Sequence, residues 1–110
     1  MTDKSFDEIL LEAVDEALAS LGESAKRSIY YHLEKKFKIP REEIPNRIKD
    51  FAEGLEKIFG IGAHFLEILV MKGLYNRIGK PFEWNERKEF IFVNYVEAAR
   101  ESFMKGKAKR

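Results

Sequence analysis

Two histidines, His32 and His64, are the first residues to consider as chemical groups, together with the carboxylates near them. His64 precedes Glu67 by three residues, so a helix would place the two side chains on one face. Such a pair can share a ligand or act as a general acid and base. The alternative, which we favour, is a partly buried histidine at a helix terminus beside a carboxylate. Neither histidine stands in an H-x-x-x-H or H-E-x-x-H pattern, so the sequence predicts no metal site.

The sequence motifs that mark other kinds of catalytic site are incomplete in this chain. No serine lies in a G-x-S-x-G turn, and the chain has no cysteine. Gly60-Ile61-Gly62 resembles part of a phosphate-binding loop, but it follows a helical pattern and no G-K-[ST] comes after it. Glu42 and Glu43 are adjacent acids in a polar connector, where solvated carboxylates are expected. We therefore predict that the protein is not an enzyme and has no catalytic residue, cofactor or metal.

Charge is balanced over the chain but uneven along it. The 20 basic and 19 acidic residues give a formal net charge of +1, so no global field draws the protein to nucleic acid or an anionic membrane. Residues 1–25 carry seven acids and one base, whereas residues 26–49 carry eight bases and three acids. We expect the first two helices to pair as an antiparallel hairpin in which these charges compensate. The alternatives are a polar surface for a protein partner or a second copy, and contacts with the phosphates of DNA or RNA.

The basic stretch 26–49 supplies the candidate interaction surface. Tyr30 and Tyr31 lie within it, and only one of two adjacent helical positions can face the core. Glu34, Glu42 and Glu43 interrupt the basic residues, which counts against nucleic-acid binding. The residues assigned to this interaction surface are Lys26, Arg27, Tyr31, Lys35, Lys36 and Arg41.

Composition narrows the setting. The absence of Cys removes disulfides and thiolate metal sites. The absence of Gln, together with abundant Lys and Glu, is typical of proteins from thermophiles. The start MTDKSFDEILLEAV is acidic and has no apolar run, so we expect no signal peptide. We also expect no segment long enough to span a membrane, and hence a cytoplasmic protein without membrane contact.

Apolar residues recur at spacings of three and four along the whole chain, and no stretch alternates with a period of two. The pattern predicts one all-α domain over residues 1–110, a compact bundle of about five helices. The predicted helices run from Phe6 to Leu21, from Glu23 to Lys38, from Pro45 to Phe59, from Ala63 to Ile78, and after Asn85 to Met104.

Local signals mark where these helices begin and end. Ser5 and Glu8 form a capping box for the first helix, and Pro45 suits the first position of the third. Gly54 and Gly73, inside helices, indicate close approach by neighbouring helices. The loop residues Phe82 and Trp84 should fold back over the bundle, and the basic tail 105–110 should be frayed. The connector between the second and third helices is expected to hold one helical turn.

The segment 63–78 is the most apolar part of the chain, and its apolar side chains wrap most of the way round a helix. A helix of this kind belongs inside a protein, with other helices on several sides. The bundle should therefore pack around it. The apolar arc of the fifth helix is broad, which predicts two neighbours, or one neighbour and a second copy of the chain.

The run 21–34, LGESAKRSIYYHLE, is followed by Glu43-Ile44-Pro45, by Phe51 and by the run 54–63, GLEKIFGIGA. Together these segments resemble a family of small, uncharacterised archaeal helical domains described as output domains, because relatives follow sensory modules. The resemblance covers about residues 8–78. It implies an archaeal signalling or regulatory module that acts through protein contacts, and no catalytic residues are assigned in that family.

These observations predict a non-enzymatic helical module for protein–protein interaction. The partner is unknown. One form of such an interaction is a homodimer through the fifth helix. The alternative is a DNA-binding transcriptional regulator that uses the basic face of residues 26–49. A helical pocket for a small apolar ligand is a third class, for which an ordinary aromatic core is the simpler explanation.

Overall fold

A computed structural model describes residues 4–82 and 91–108, and these residues form an all-α bundle without strands. The predicted fold class is confirmed. Two short 3-10 turns, Arg41–Asn46 and Gly60–Gly62, connect helices in the middle of the chain. The helices are α1 (Phe6–Ala19), α2 (Glu23–Phe37), α3 (Ile48–Phe59), α4 (Ala63–Ile78) and α5 (Phe92–Ala108).

The start of α1 is fixed by the predicted capping box. The Ser5 hydroxyl accepts a hydrogen bond from the backbone N–H of Glu8 at 3.2 Å, and the Glu8 carboxylate accepts one from the Ser5 N–H at 3.0 Å. Two of the N–H groups that lack a partner within the helix are thereby satisfied. The helix ends at Ala19, two residues before the predicted end. Gly22, at a φ of 106° that side chains rarely adopt, separates α1 from α2.

The connector after α2 differs from the prediction at Pro45. Lys38 has a left-handed φ of 60° and ends α2, and the chain then forms the 3-10 turn Arg41–Asn46. Pro45 lies buried inside this turn instead of opening α3. The reason is Arg47, whose φ and ψ of −136° and 47° are not helical, so that α3 begins only at Ile48. The single helical turn expected in the connector is present.

The run Ile48–Ile78, which joins α3 to α4, has the length and composition of a membrane-spanning helix, and 33% of its most apolar window is buried in the fold. The expectation that no segment reaches this length is therefore wrong. The indication is weak, because core helices meet the same criterion. The run also bends: Gly60 has a φ of 62°, which turns the chain between α3 and α4.

Helix α4 has the predicted bounds, and it packs against α1, α3 and α5. Gly79, at a φ of 74°, ends it as a C-cap, as predicted. The enclosure is incomplete, however, because Phe65 is 64% exposed. The residues of α4 that are buried are Ala63, Leu66, Glu67, Val70, Met71 and Leu74.

Helix α5 closes the bundle through aromatic contacts with three other helices. The centre of its Phe92 ring lies 6.2 Å from that of Phe51 in α3. The centre of its Phe103 ring lies 5.9 Å from that of Phe6 in α1. The Tyr75 hydroxyl of α4 donates to the backbone carbonyl of Tyr95 at 2.9 Å. Contacts within one chain thus account for the broad apolar arc of α5, and the homodimer stays a prediction.

The ends of α5 differ from the predicted ones. Ile91 is not helical, so the helix begins at Phe92, and it continues through Ala108 where a frayed tail was expected. Phe82 folds back as predicted, with its ring 5.3 Å from Tyr75 and 5.4 Å from Tyr95. Asn85 and Trp84 lie in the range 83–90, outside the described residues, as do residues 109–110.

Candidate functional site

A cleft of about 280 Å³ opens between α3, α4 and the start of α5. Four positions of α3 spaced by three and four residues line one side of it, because that spacing places them on one helix face. His64 and Glu67 of α4 line another side. The lining residues are Lys49, Ala52, Glu53, Glu56, His64, Glu67, Ile91, Phe92 and Val93.

Glu67 is the unusual residue of the cleft. It is 3% exposed and is the buried acid of the core, among residues that are otherwise apolar. Within the described residues, its carboxyl group has no hydrogen-bond partner or ion pair. Burial, with a smaller contribution from the nearby charge of Glu56, raises the pKa of Glu67 to about 7. A carboxyl group held in this way is neutral at a pH where an exposed glutamate is charged.

His64 and Glu67, the pair considered from the sequence, both line the cleft. The favoured structural interpretation holds only in part, because His64 is exposed and Glu67 is the buried member. No group of three or more His, Cys, Asp or Glu among the described residues is arranged to hold a metal ion. A carboxyl pKa near 7 suits proton transfer, but the described lining offers no hydroxyl or thiol as a nucleophile.

The predicted interaction surface on α2 is only partly assembled. Arg27, Tyr31 and Lys35, spaced by four residues, form one exposed stripe, and Lys36 lies beside it. The Lys35 ammonium lies 5.9 Å from the centre of the Tyr31 ring, and Tyr31 is 62% exposed. These four residues share a face that a partner could contact.

The other two predicted surface residues are held by acids of the same chain. Lys26 lies 3.6 Å from Glu23. Arg41 makes a two-pronged contact with Asp15 of α1, at 2.9 Å from Nε and 2.5 Å from Nη2. Arg41 therefore joins the connector to α1, Lys26 forms an ion pair within its own helix, and the free part of the surface is smaller than the sequence suggested.

The expectation that the charges of α1 and α2 compensate each other is wrong: among the described residues, the acids of α1 form their ion pairs with Lys4, the connector, α4 and α5. Asp15 is paired with Arg41 of the connector, and Glu16 with Arg77 of α4 at 2.9 Å. Asp7 lies 3.3 Å from Arg100 of α5. α2 contributes the Tyr30 hydroxyl, which donates a hydrogen bond to Asp15. Tyr30 is thus the inward member of the tyrosine pair, and Tyr31 is the outward one.

Sequence reasoning missed an exposed apolar surface at the corner between α3 and α4. Ile61 is 96% exposed and Phe65, four residues later, is 64% exposed. Ile68 and Leu69 continue the same helical spacing and are half-buried. We call these four residues the corner patch. The signal was present in the sequence, since the apolar residues of α4 wrap further round the helix than three neighbours can cover.

Comparisons with protein-family models, with curated proteins and with solved structures give no match to this chain. The resemblance to archaeal output domains therefore stays a prediction, based on the sequence segments quoted above. Its implication for function enters below as part of a proposal.

Proposed function

We propose that the protein is a non-enzymatic helical module for protein–protein interaction, and that the corner patch is the surface that binds the partner. The observation that carries this proposal is the exposure of Ile61 and Phe65, four residues apart at the corner between α3 and α4. Scattered exposed apolar residues are ordinary, but adjoining large ones indicate an interaction site. The sequence resemblance adds a signalling or regulatory role in an archaeon, and the composition adds a thermophilic source and a cytoplasmic location.

The corner patch adjoins a shallow groove between α1 and α4. The groove has a volume of about 330 Å³, and Leu69 belongs both to the groove and to the patch. Its charged members, Glu16 and Lys72, are of opposite sign. The groove residues are Glu16, Ala17, Ser20, Leu69, Lys72, Gly73 and Asn76.

The occupant that fits this surface is an amphipathic helix of another protein. Phe65 and Leu69 of α4 are four residues apart and form a ridge along the helix surface. Ile61, in the preceding 3-10 turn, extends the apolar surface at the corner. The groove beside this ridge receives the complementary ridge of a second helix. A helix laid in this way presents apolar anchors at spacings of three and four, the usual mode of helix-in-groove recognition.

Site-specific cross-linking tests the proposal. A photoreactive phenylalanine at position 65 is expected to capture a partner in extracts of the source cell, whereas the same group at Met104, which is 55% exposed on α5, is expected to capture none. The captured protein is then purified, and its affinity is measured with the wild-type chain and with Ile61→Ser plus Phe65→Ser. Loss of at least tenfold in affinity supports the proposal, and the patch variant should keep its thermal stability.

Two results overturn this assignment. The first is equal capture from positions 65 and 104, which would mean that the corner patch is not the preferred surface. The second is capture of the chain by itself, with a dimer in light scattering that the double serine variant abolishes. The corner patch would then join two copies and would not bind a different protein.

DNA binding is the second candidate, and one observation favours it. Within the described residues, Arg27, Lys35 and Lys36 make no ion pair and share the outer face of α2. Binding through them should weaken steeply with salt, because phosphate contacts release counterions. Fluorescence anisotropy with a random duplex at low salt tests this. Binding that Lys35→Glu plus Lys36→Glu abolishes would support it, and no binding would remove it.

A further inference from the structure

We propose that the cleft between α3, α4 and the start of α5 binds one organic cation, an ammonium or guanidinium group, with the Glu67 carboxylate as its counter-ion. The group comes from a free amine or from a Lys or Arg side chain of a partner. This proposal is independent of the corner patch, since Phe65 does not line the cleft.

The first support is that Glu67 is buried, has no partner among the described residues and lines an open cleft. An acid that is 97% shielded from solvent is expensive to keep without a hydrogen bond. Among the described residues, nothing donates to its carboxyl oxygens. A ligand with N–H donors would satisfy these oxygens and would bring a positive charge to them.

The second support is the sign of the charges round the cleft. From α3 come Glu53, Glu56 and Lys49, and from α4 comes His64. The described start of α5 contributes only apolar side chains. Three carboxylates against one lysine repel an anion and favour a cation, and Lys49 limits the site to a ligand of low charge.

The third support is the size and the donor set. A volume of about 280 Å³ is at the small end of ligand sites and suits a head group or a single side chain. The described residues hold no cluster of three metal-ligating groups, whereas an ammonium or guanidinium needs only carboxylate acceptors about 2.7–2.9 Å away. The apolar residues Phe92, Val93 and Ala52 suit the alkyl part of the ligand.

Occupancy should depend on pH in a defined direction. Burial raises the pKa of Glu67 to about 7, so the free carboxyl is largely neutral in mild acid and must lose a proton to bind a cation. Binding should therefore be strongest above pH 7 and weaken on acidification. By the same linkage, a bound cation lowers the pKa of Glu67.

NMR of the chain with ¹³C-labelled glutamate carboxyl groups measures this directly. The probes are butylamine and methylguanidinium for a free ligand, N-acetyl-lysine and N-acetyl-arginine methylamides for a side chain, and butanol as the uncharged control. Saturation with a cationic probe should lower the pKa of Glu67 by at least one unit, and butanol should not move it. Tighter binding of the amino-acid amides than of the simple amines would assign the site to a partner's side chain.

Glu67→Gln, which keeps the size of the side chain, should weaken cation binding at least tenfold at pH 8, whereas Glu23→Gln, remote from the cleft, should not. The proposal is overturned if no cationic probe shifts the Glu67 signal, or if Glu67→Gln binds as the wild type does. Arg87 and Lys88, outside the described residues, give a last control. If replacing both with Gln raises the Glu67 pKa without any ligand, the chain neutralises its own cleft, and the proposal also fails.

Discussion

The guanidinium of Arg41 donates two hydrogen bonds to the carboxylate of Asp15, from Nε at 2.9 Å and from Nη2 at 2.5 Å. The two residues are 26 positions apart, and the contact ties the connector after α2 to the middle of α1. The Tyr30 hydroxyl donates to the same carboxylate. One acid of α1 thus holds both α2 and the connector in place, which fixes the path by which the chain reaches α3.

Replacing Asp15 with Asn should lower the free energy of unfolding by about 1–3 kcal/mol at pH 7, because the charged hydrogen bonds to Arg41 are lost. Partial burial raises the pKa of Asp15, but the hydrogen bonds from Arg41 and Tyr30 outweigh it, and the net pKa is lowered. The stabilisation is therefore present above pH 4 and lost as the pH falls through the folded-state pKa. Urea unfolding of the wild type and of Asp15→Asn at pH 7 and pH 2 measures this loss of stabilisation.

Glu43→Gln is the matched control for Asp15→Asn, since Glu43 makes an exposed ion pair with Arg47 at 3.3 Å. Its effect should stay within about 1 kcal/mol. A loss as large as that of Asp15→Asn would mean that the two-pronged contact has no special weight.

Gly54 of α3 lies close against Leu33 of α2. A Cβ at this position would lie 2.9 Å from Cδ2 of Leu33, which is itself fully buried. Gly54→Ala should therefore destabilise the fold by about 1–3 kcal/mol through overpacking, although alanine is the better helix former by about 1 kcal/mol.

Gly106 of α5 is the control for Gly54, because a Cβ there meets nothing within 4 Å. Gly106→Ala should leave stability unchanged or raise it by up to about 1 kcal/mol. Thermal melts of the two variants should move in opposite directions. A melt of Gly54→Ala above that of the wild type would contradict the close packing of α2 against α3.

The sequence predicted local features well because each depends on a few neighbouring residues. The Ser5–Glu8 capping box and the left-handed Gly79 were predictable from backbone chemistry. The bounds of α4 followed from the glycines on either side of it. The local signal at Pro45 failed because of a neighbouring residue. Arg47 has a non-helical backbone conformation that its residue type does not predict, so α3 begins only at Ile48.

Features that depend on the placement of distant helices were harder to predict. The charge composition indicated that the acids of α1 need positive partners. It did not indicate that Arg41, Arg77 and Arg100 would be those partners. The sequence identified His64 and Glu67 as a pair. The raised pKa of Glu67, however, depends on its burial and on the charge of Glu56 on another helix. The exposed corner patch likewise depends on how many sides of α4 its neighbours cover.

Phe65 and Leu66 offer a direct test of which face of α4 supports the fold. Phe65 is 64% exposed and Leu66 is 2% exposed, although they are adjacent. Phe65→Ser should change the free energy of unfolding by no more than about 0.5 kcal/mol, whereas Leu66→Ala should lower it by about 2–5 kcal/mol. Chemical denaturation compares the two. A large loss on Phe65→Ser would show that the aromatic ring supports the core and is not held free for a partner.

Glu67 should make stability fall as the solution becomes alkaline. Its pKa is raised by burial from 4.5 to about 7 in the folded chain, so folding favours the neutral form. The resulting stabilisation of the protonated state is complete below pH 4.5 and is lost as the pH rises through 7. Glu67→Gln, which is always neutral, should match the wild type below pH 4.5 and exceed it by up to about 3 kcal/mol at pH 9. Urea unfolding across this range, with Glu23→Gln, exposed and remote from the cleft, as control, measures the difference. Parallel stability curves for Glu67→Gln and the wild type would mean that the Glu67 carboxyl titrates as an ordinary solvated acid.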